Sequence, residues 1–251
     1  MIKIRLDAYL LQQGLCENIN IAQSLIIQGK VLIDQRPVTK VGTQVAVNAN
    51  NITIKQASHD YVSRGALKLV AALEHFSIDT ADLICLDVGS STGGFTEVLL
   101  RRKAQMVFAV DVGYGELHYK LRNNPCITVI ERTNARYLTT QQITVPPDLI
   151  VCDASFISLK TILPTPMTLA KENCLLIALI KPQFEVEKHE VGPRGIITDP
   201  ALHDKVCRQI HQWLEFNCSF KVQGVLPSPI LGAKGNKEFL IYAQRSSFTK
   251  L

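Results

Sequence analysis

The chain has 251 residues, 47% of them hydrophobic, and a formal net charge of +5 at pH 7. That length and apolar content support a buried core without disulfide staples, in one large domain or in a large domain with a small module. The modest positive charge favours a polyanion over an acidic protein partner without naming one, and the longest apolar run, Cys174–Ile180, falls far below the ~20 residues that span a bilayer.

The first 57 residues read as a separate small module. Arg5-Leu6-Asp7-Ala8-Tyr9-Leu10-Leu11 places apolar residues at helical spacing, and Ile21, Ala22, Leu25 and Ile26 do so again before Gly29, a C′ residue. Lys30–Ile33, Val45–Val47 and Asn51–Ile54 then read as short strands. The basic residues Lys3, Arg5, Lys30, Arg36, Lys40 and Lys55 outnumber the acids Asp7, Glu17 and Asp34, so one face suits phosphate; the alternative is an α/β module used for protein contact. A linker at 58–62 follows.

From residue 63 to 245 strand and helix candidates alternate, the pattern of a largely parallel sheet covered on both faces, with a short tail at 246–251. Tyr61–Leu69 carries Arg64 and Lys68, with Leu67, Val70 and Ala71 on an apolar helical face. The run Leu83–Leu86 leads into Asp87-Val-Gly89-Ser90-Ser91-Thr-Gly93-Gly94-Phe95, and Phe95–Arg102 is amphipathic. A glycine-rich turn between strand and helix lets a ligand approach main-chain atoms that a Cβ would shield.

The spacing is neither G-x-G-x-x-G nor a phosphate-binding loop, which argues against a dinucleotide oxidoreductase. Asp87 would repel pyrophosphate but suits a cationic amino group such as S-adenosylmethionine carries. The next strand, Met106–Val110, ends at Asp111, about 20 residues on, where such folds place a carboxylate on a ribose diol. The competing reading is a plain turn with an aspartate cap.

Further along, Leu117–Asn123 is a predicted helix, Ile127–Ile130 and Asp148–Cys152 are strands, and Thr161–Lys171 is one helix with Pro164 and Pro166 in its first turn. Leu175–Ile180 is a strand. Asp199-Pro200 caps a helix whose stripe is Leu202, Val206, Ile210, Trp213 and Leu214, and Phe220–Val225 and Glu238–Ala243 close the sheet.

Charges at strand ends carry the chemistry. Ligands in doubly wound sheets bind beyond the carboxyl ends of the strands, and here Asp153 and Lys181 terminate successive strands. Each alone could be half of a structural ion pair, and Lys68 and Glu238 alone read as solvated charges.

Taken together, Lys68, Asp153, Lys181 and Glu238 resemble the Lys-Asp-Lys-Glu tetrad of FtsJ-type ribose 2′-O-methyltransferases. The N-terminal segment resembles the S4 RNA-binding domain through Arg5-Leu6-Asp7, Gly29-Lys30-Val31 and Lys40-Val41-Gly42, although Ile19-Asn20 stands where that domain usually has Ser-Arg. With Asp153-Ala-Ser-Phe156, Ile180–Glu185, Gly192-x-x-Gly195 and Lys237-Glu238-Phe239, nearly the whole chain resembles the TlyA family of rRNA 2′-O-methyltransferases, historically labelled haemolysins.

The resemblance implies a Rossmann-like class I methyltransferase fold, with a seven-stranded mixed sheet whose last strand is antiparallel, behind a small S4-like α+β domain. It also implies S-adenosyl-L-methionine as methyl donor, held by Asp87, Gly89, Ser90, Ser91, Gly93, Gly94, Phe95 and Asp111. The acceptor would be a cytidine ribose in ribosomal RNA, contacted by Lys3, Arg5, Lys30, Arg36, Lys40, Arg64 and Arg194. Limited basic sequence at both ends favours 23S over 16S RNA.

A ribose hydroxyl is a poor acid, so its proton must pass to a base as the C–O bond forms, and a lysine can serve when burial and a second cation lower its pKa. Lys181 is the expected base, Lys68 the second cation, Asp153 the holder of Lys181, and Glu238 the residue that orients Lys68 or the hydroxyl. The Gln183–Thr198 loop, with Lys188, His189 and Arg194, would touch RNA or cover the site, though His189 reads as a surface residue. Two other readings remain: a non-catalytic RNA-binding or ribosome-assembly factor, and a membrane-active haemolysin. Seven cysteines without a C-x-x-C pair, and no signal-peptide pattern, point to reduced thiols in the cytoplasm. No metal site is expected, since His203 and His211 lack a third ligand.

Overall fold

In a computed structural model the described residues are 3–16, 18–27, 29–54 and 60–245. The chain divides into two compact units, Met1–Asp60 and Tyr61–Leu251. Lys55, Glu17, residues 58 and 59 of the expected linker and the 246–251 tail lie outside the described residues.

In the first unit β1 (Lys3–Arg5) leads directly into α1 (Leu6–Gln12), followed by α2 (Ile19–Ile27), β2 (Val31–Ile33), β3 (Arg36–Val38), β4 (Gln44–Ala46) and β5 (Ile52–Ile54). β1 pairs with β4, and β2 is the centre of an antiparallel β3-β2-β5 sheet. Leu6, Tyr9, Leu10, Ala22 and Ile26, at the helical spacing of the sequence, form its core together with Val31 of β2. Gly29, at φ +65°, closes α2: its N–H reaches the Ile26 carbonyl and that of Lys30 the Leu25 carbonyl. The three-residue strands β1 and β3 are too short to show alternation.

The second unit runs α3 (Ala66–His75), β6 (Ile84–Val88), α4 (Gly94–Arg101), β7 (Met106–Val110), α5 (Tyr119–Arg122), β8 (Ile127–Ile130), β9 (Leu149–Cys152), α6 (Leu159–Ile162), α7 (Pro164–Leu169), β10 (Leu175–Ile180), α8 (Pro182–Glu185), α9 (Pro200–Cys218), β11 (Phe220–Pro227) and β12 (Phe239–Arg245). These strands form one mixed seven-stranded sheet in the order β11-β12-β10-β9-β6-β7-β8. β6 to β10 are parallel and β12 runs antiparallel to both neighbours. Side chains alternate between faces: Leu86, Phe108, Ile150 and Ala178 pack in the cluster that includes Val206, Ile210 and Leu214 of α9, whereas Cys85, Val107, Val151 and Ile177 pack with Leu69 of α3 and Phe95 of α4.

The segment expected as one helix over 161–171 is two, α6 and α7. Pro164 has no N–H to continue the α6 ladder and instead opens α7 as its first residue. Asp199 caps α9, accepting from the Ala201 N–H at 2.9 Å, with Pro200 at the first helical position. Among the described residues no helix is long and apolar enough to cross a membrane.

Candidate active site

The sheet topology places the charged strand ends in one locality. Asp153 and Lys181 directly follow the parallel strands β9 and β10, so both stand at the carboxyl edge. Glu238 precedes β12, and because β12 is antiparallel, with Ile180 opposite Phe239, its beginning lies at that same edge. Lys68, in the first turn of α3, comes from the sheet face that α3 covers.

The four side chains make contact. Lys68 Nζ donates to Asp153 Oδ2 at 3.2 Å and stands 2.7 Å from Glu238 Oε2. Lys181 Nζ is 2.7 Å from Asp153 Oδ1, and donates to Ser155 Oγ at 2.8 Å and to the Asp153 carbonyl at 3.2 Å. The contacts at Asp153 Oδ1 and Glu238 Oε2 lie outside hydrogen-bond alignment and act as charge contacts. Lys68, Lys181 and Glu238 are buried, and two cations against two carboxylates leave the group formally neutral, which offsets the desolvation of each charge.

They border a cavity of about 510 Å³, whose rim also includes Ser90, Gly94 and Phe95. Gly89, at φ +82°, approaches the next loop so closely that a Cβ would sit 3.0 Å from Ala154 Cα; only glycine brings the two loops together. Gly93 has φ +94°, and a Cβ there would run into the Leu121 and Leu117 side chains.

The expected carboxylates take distinct places. Asp111 does not line the cavity: its Oδ2 accepts from the Ser91 N–H and its Oδ1 from the Gly113 N–H, both at 2.8 Å, fixing the glycine loop against the end of β7. Asp87 is buried behind the loop, where its Oδ2 accepts from Thr96 Oγ at 2.6 Å and its Oδ1 has no partner. Burial pushes its carboxyl up to about 7, against the opposing Thr96 hydrogen bond.

Of the basic residues, Arg64 lines the cavity, while Arg194 is exposed and its carbonyl accepts from Lys234 Nζ at 3.2 Å. In the first unit Lys3, Arg36 and Lys40 are exposed and Lys30 is half-buried. Arg5 forks onto Asp7, with Nε to Oδ1 at 3.0 Å and Nη2 to Oδ2 at 2.7 Å. That hydrogen bond holds Asp7 down at about 2.

Sequence reasoning did not single out as site residues Ser155, which lies three residues beyond the end of β9, nor Phe156, 89% exposed and 5.2 Å from the Phe184 ring. It also missed Asn236, which accepts from the Ile197 N–H at 3.0 Å and donates to the Gly195 carbonyl at 2.9 Å, pinning the loop between α8 and α9. Asn236 stands beside Glu238 in the same short segment, which is the signal that could have found it. Among the described residues no group of three or more His, Cys, Asp or Glu could hold a metal ion.

Residues 61–245 match the FtsJ-like methyltransferase family and residues 4–50 the S4 domain. The 16S/23S rRNA (cytidine-2′-O)-methyltransferase TlyA of Mycobacterium tuberculosis is 44% identical over 240 residues, 96% of this chain and 89% of the relative. The 23S rRNA (cytidine-2′-O)-methyltransferase TlyA of Campylobacter jejuni is 38% identical over 189 residues, 74% of this chain and 71% of the relative. A solved structure from Streptococcus thermophilus, provisionally named a hemolysin, superposes with a TM-score of 0.75 at 36% identity, covering 98% of this chain and 90% of that one.

Proposed function

The chain belongs to the FtsJ-like methyltransferase family, in its TlyA branch with an S4 domain in front, and from there we propose that it methylates the 2′ hydroxyl of a cytidine ribose in ribosomal RNA, with S-adenosylmethionine as donor. The observation that carries this reading is the contact of Lys68, Asp153, Lys181 and Glu238 at the rim of a cavity shared with the glycine loop.

The residues fit such a donor. The loop from Gly89 to Phe95 lines the cavity and leaves main-chain groups uncovered at its glycines, and Asp111, which braces that loop from outside the cavity, is the carboxylate nearest to hand for ribose hydroxyls. The unpartnered Asp87 Oδ1 adds negative potential behind the loop, suited to a ligand that carries positive charge. When bound, S-adenosylmethionine supplies an electrophilic methyl group on a sulfonium.

The chain's own residues then handle the acceptor. Lys181, as the free amine, receives the hydroxyl proton and becomes an ammonium held by Asp153, which also holds the Lys68 ammonium, and Glu238 fixes Lys68. The S4 domain holds RNA through Lys3, Arg5, Lys30, Arg36 and Lys40, with Arg64 and Arg194 as further contacts. 23S RNA appears in the names of both relatives, so the large subunit is the first substrate in this reading and 16S RNA the second. Free thiols at all seven cysteines accord with action in the cytoplasm. Reverse-transcription mapping of ribosomal RNA from cells with and without the gene tests the proposal: a 2′-O-methyl cytidine that disappears with the gene is expected, and identical maps would overturn it.

A further inference from the structure

Among the described residues Lys181 Nζ has three polar neighbours: Asp153 Oδ1 at 2.7 Å, the Asp153 carbonyl at 3.2 Å and Ser155 Oγ at 2.8 Å. The first two are acceptors only, whereas a serine hydroxyl both accepts and donates. In the neutral amine one hydrogen stays on the Asp153 carbonyl and the other faces the Asp153 carboxylate, both of them acceptors only. The lone pair is left facing Ser155, the single neighbour able to give it a proton. Ser155 is exposed and lines the same cavity as Lys181, so its hydroxyl stands within reach of an acceptor that enters there.

We propose that Ser155 is a catalytic residue that relays the proton from the acceptor hydroxyl to Lys181, an inference that rests on the methyl-transfer reading. A lone pair of the ribose oxygen forms the new bond to the methyl carbon while the carbon–sulfur pair departs with sulfur, leaving a neutral thioether. The ribose proton moves to Ser155 Oγ as the serine's own proton crosses the 2.8 Å hydrogen bond to Lys181 Nζ. Serine ends neutral and Lys181 ends as an ammonium beside Asp153, so the positive charge lost at sulfur appears on the lysine.

The test is single-turnover methyl transfer by the full chain to large ribosomal subunits lacking the modification. Ser155→Ala should slow transfer about 100-fold, with donor affinity and KM for subunits within about twofold. Ser155→Thr, which keeps the hydroxyl, should recover most of the rate. In mixtures of light and heavy water the wild-type rate should fall along a curve, because two protons move together, and that of Ser155→Ala along a line. An active wild type with Ser155→Ala within about threefold of it, or with an equally curved response, overturns the relay alone. A wild type that transfers no methyl group overturns the methyltransferase reading and the relay with it.

Discussion

Glu238 Oε2 lies 2.7 Å from Lys68 Nζ, and the Glu238 side chain is 3% exposed. One residue opens the last strand and the other starts the first helix of its unit, so the fold alone brings them together. A buried carboxylate tolerates this position only with a cation beside it. Lys68→Met should therefore cost about 3–5 kcal/mol of stability, and adding Glu238→Leu should recover much of it. Urea unfolding of the three proteins checks this; a single mutant as stable as wild type would show that Glu238 does not depend on Lys68.

Asp87 gives the protein a pH-dependent stability. Its carboxyl is raised from 3.8 to about 7 by burial, so the folded state favours the neutral form. The contribution is complete below the unfolded value and is lost as pH rises through about 7. The melting temperature should decline across that window, and Asp87→Asn, which still accepts from Thr96, should remove most of the slope. Calorimetric scans between about pH 5 and 8 decide; an unchanged slope in the variant contradicts it. Affinity for a cationic ligand at the loop should move the opposite way, rising with pH.

Gly93 cannot carry a side chain. At φ +94° an alanine is strained, and its methyl meets Leu117 and Leu121. Gly93→Ala should cost about 1–3 kcal/mol and weaken donor binding by shifting the loop. Thermal melting and donor titration on one sample measure both, and a variant matching wild type in each would remove this role from the glycine.

In the S4 unit the basic residues should separate into two kinds. Lys40 is exposed and has no side-chain partner among the described residues, so Lys40→Ala should lower the slope of log affinity against log salt for ribosomal RNA by roughly 0.7–0.9. Arg5 already forks onto Asp7, so Arg5→Ala leaves a buried acid without its partner and should lower the melting temperature as well. Binding titrations over a salt series with parallel melts distinguish the two; equal effects would contradict it.

The centre of the sheet was legible because β7, β9 and β10 are unbroken apolar runs, each followed by a charge, at Val110-Asp111, Cys152-Asp153 and Ile180-Lys181. Asp153 and Lys181 stood out because a charge right after such a run needs a reason. Lys68 and Glu238 emerged only through family resemblance, since nothing local announces that a helix residue and the entry to an antiparallel strand will meet. Ser155 appeared only inside the Asp153-Ala-Ser-Phe156 motif with no role of its own, because a serine in a loop is ordinary until its hydroxyl is seen against Lys181 Nζ. The break at Pro164 was misplaced because a proline suits the first turn of one long helix and of a second short one equally well.

The proposed chemistry turns on Lys181 as acceptor of the proton from the hydroxyl being methylated. Single-turnover transfer of a labelled methyl group to large ribosomal subunits by Lys181→Ala, with donor binding measured on the same protein, tests it most directly. The rate should fall at least about 100-fold while the donor still binds. Near-normal turnover in that variant would contradict the account.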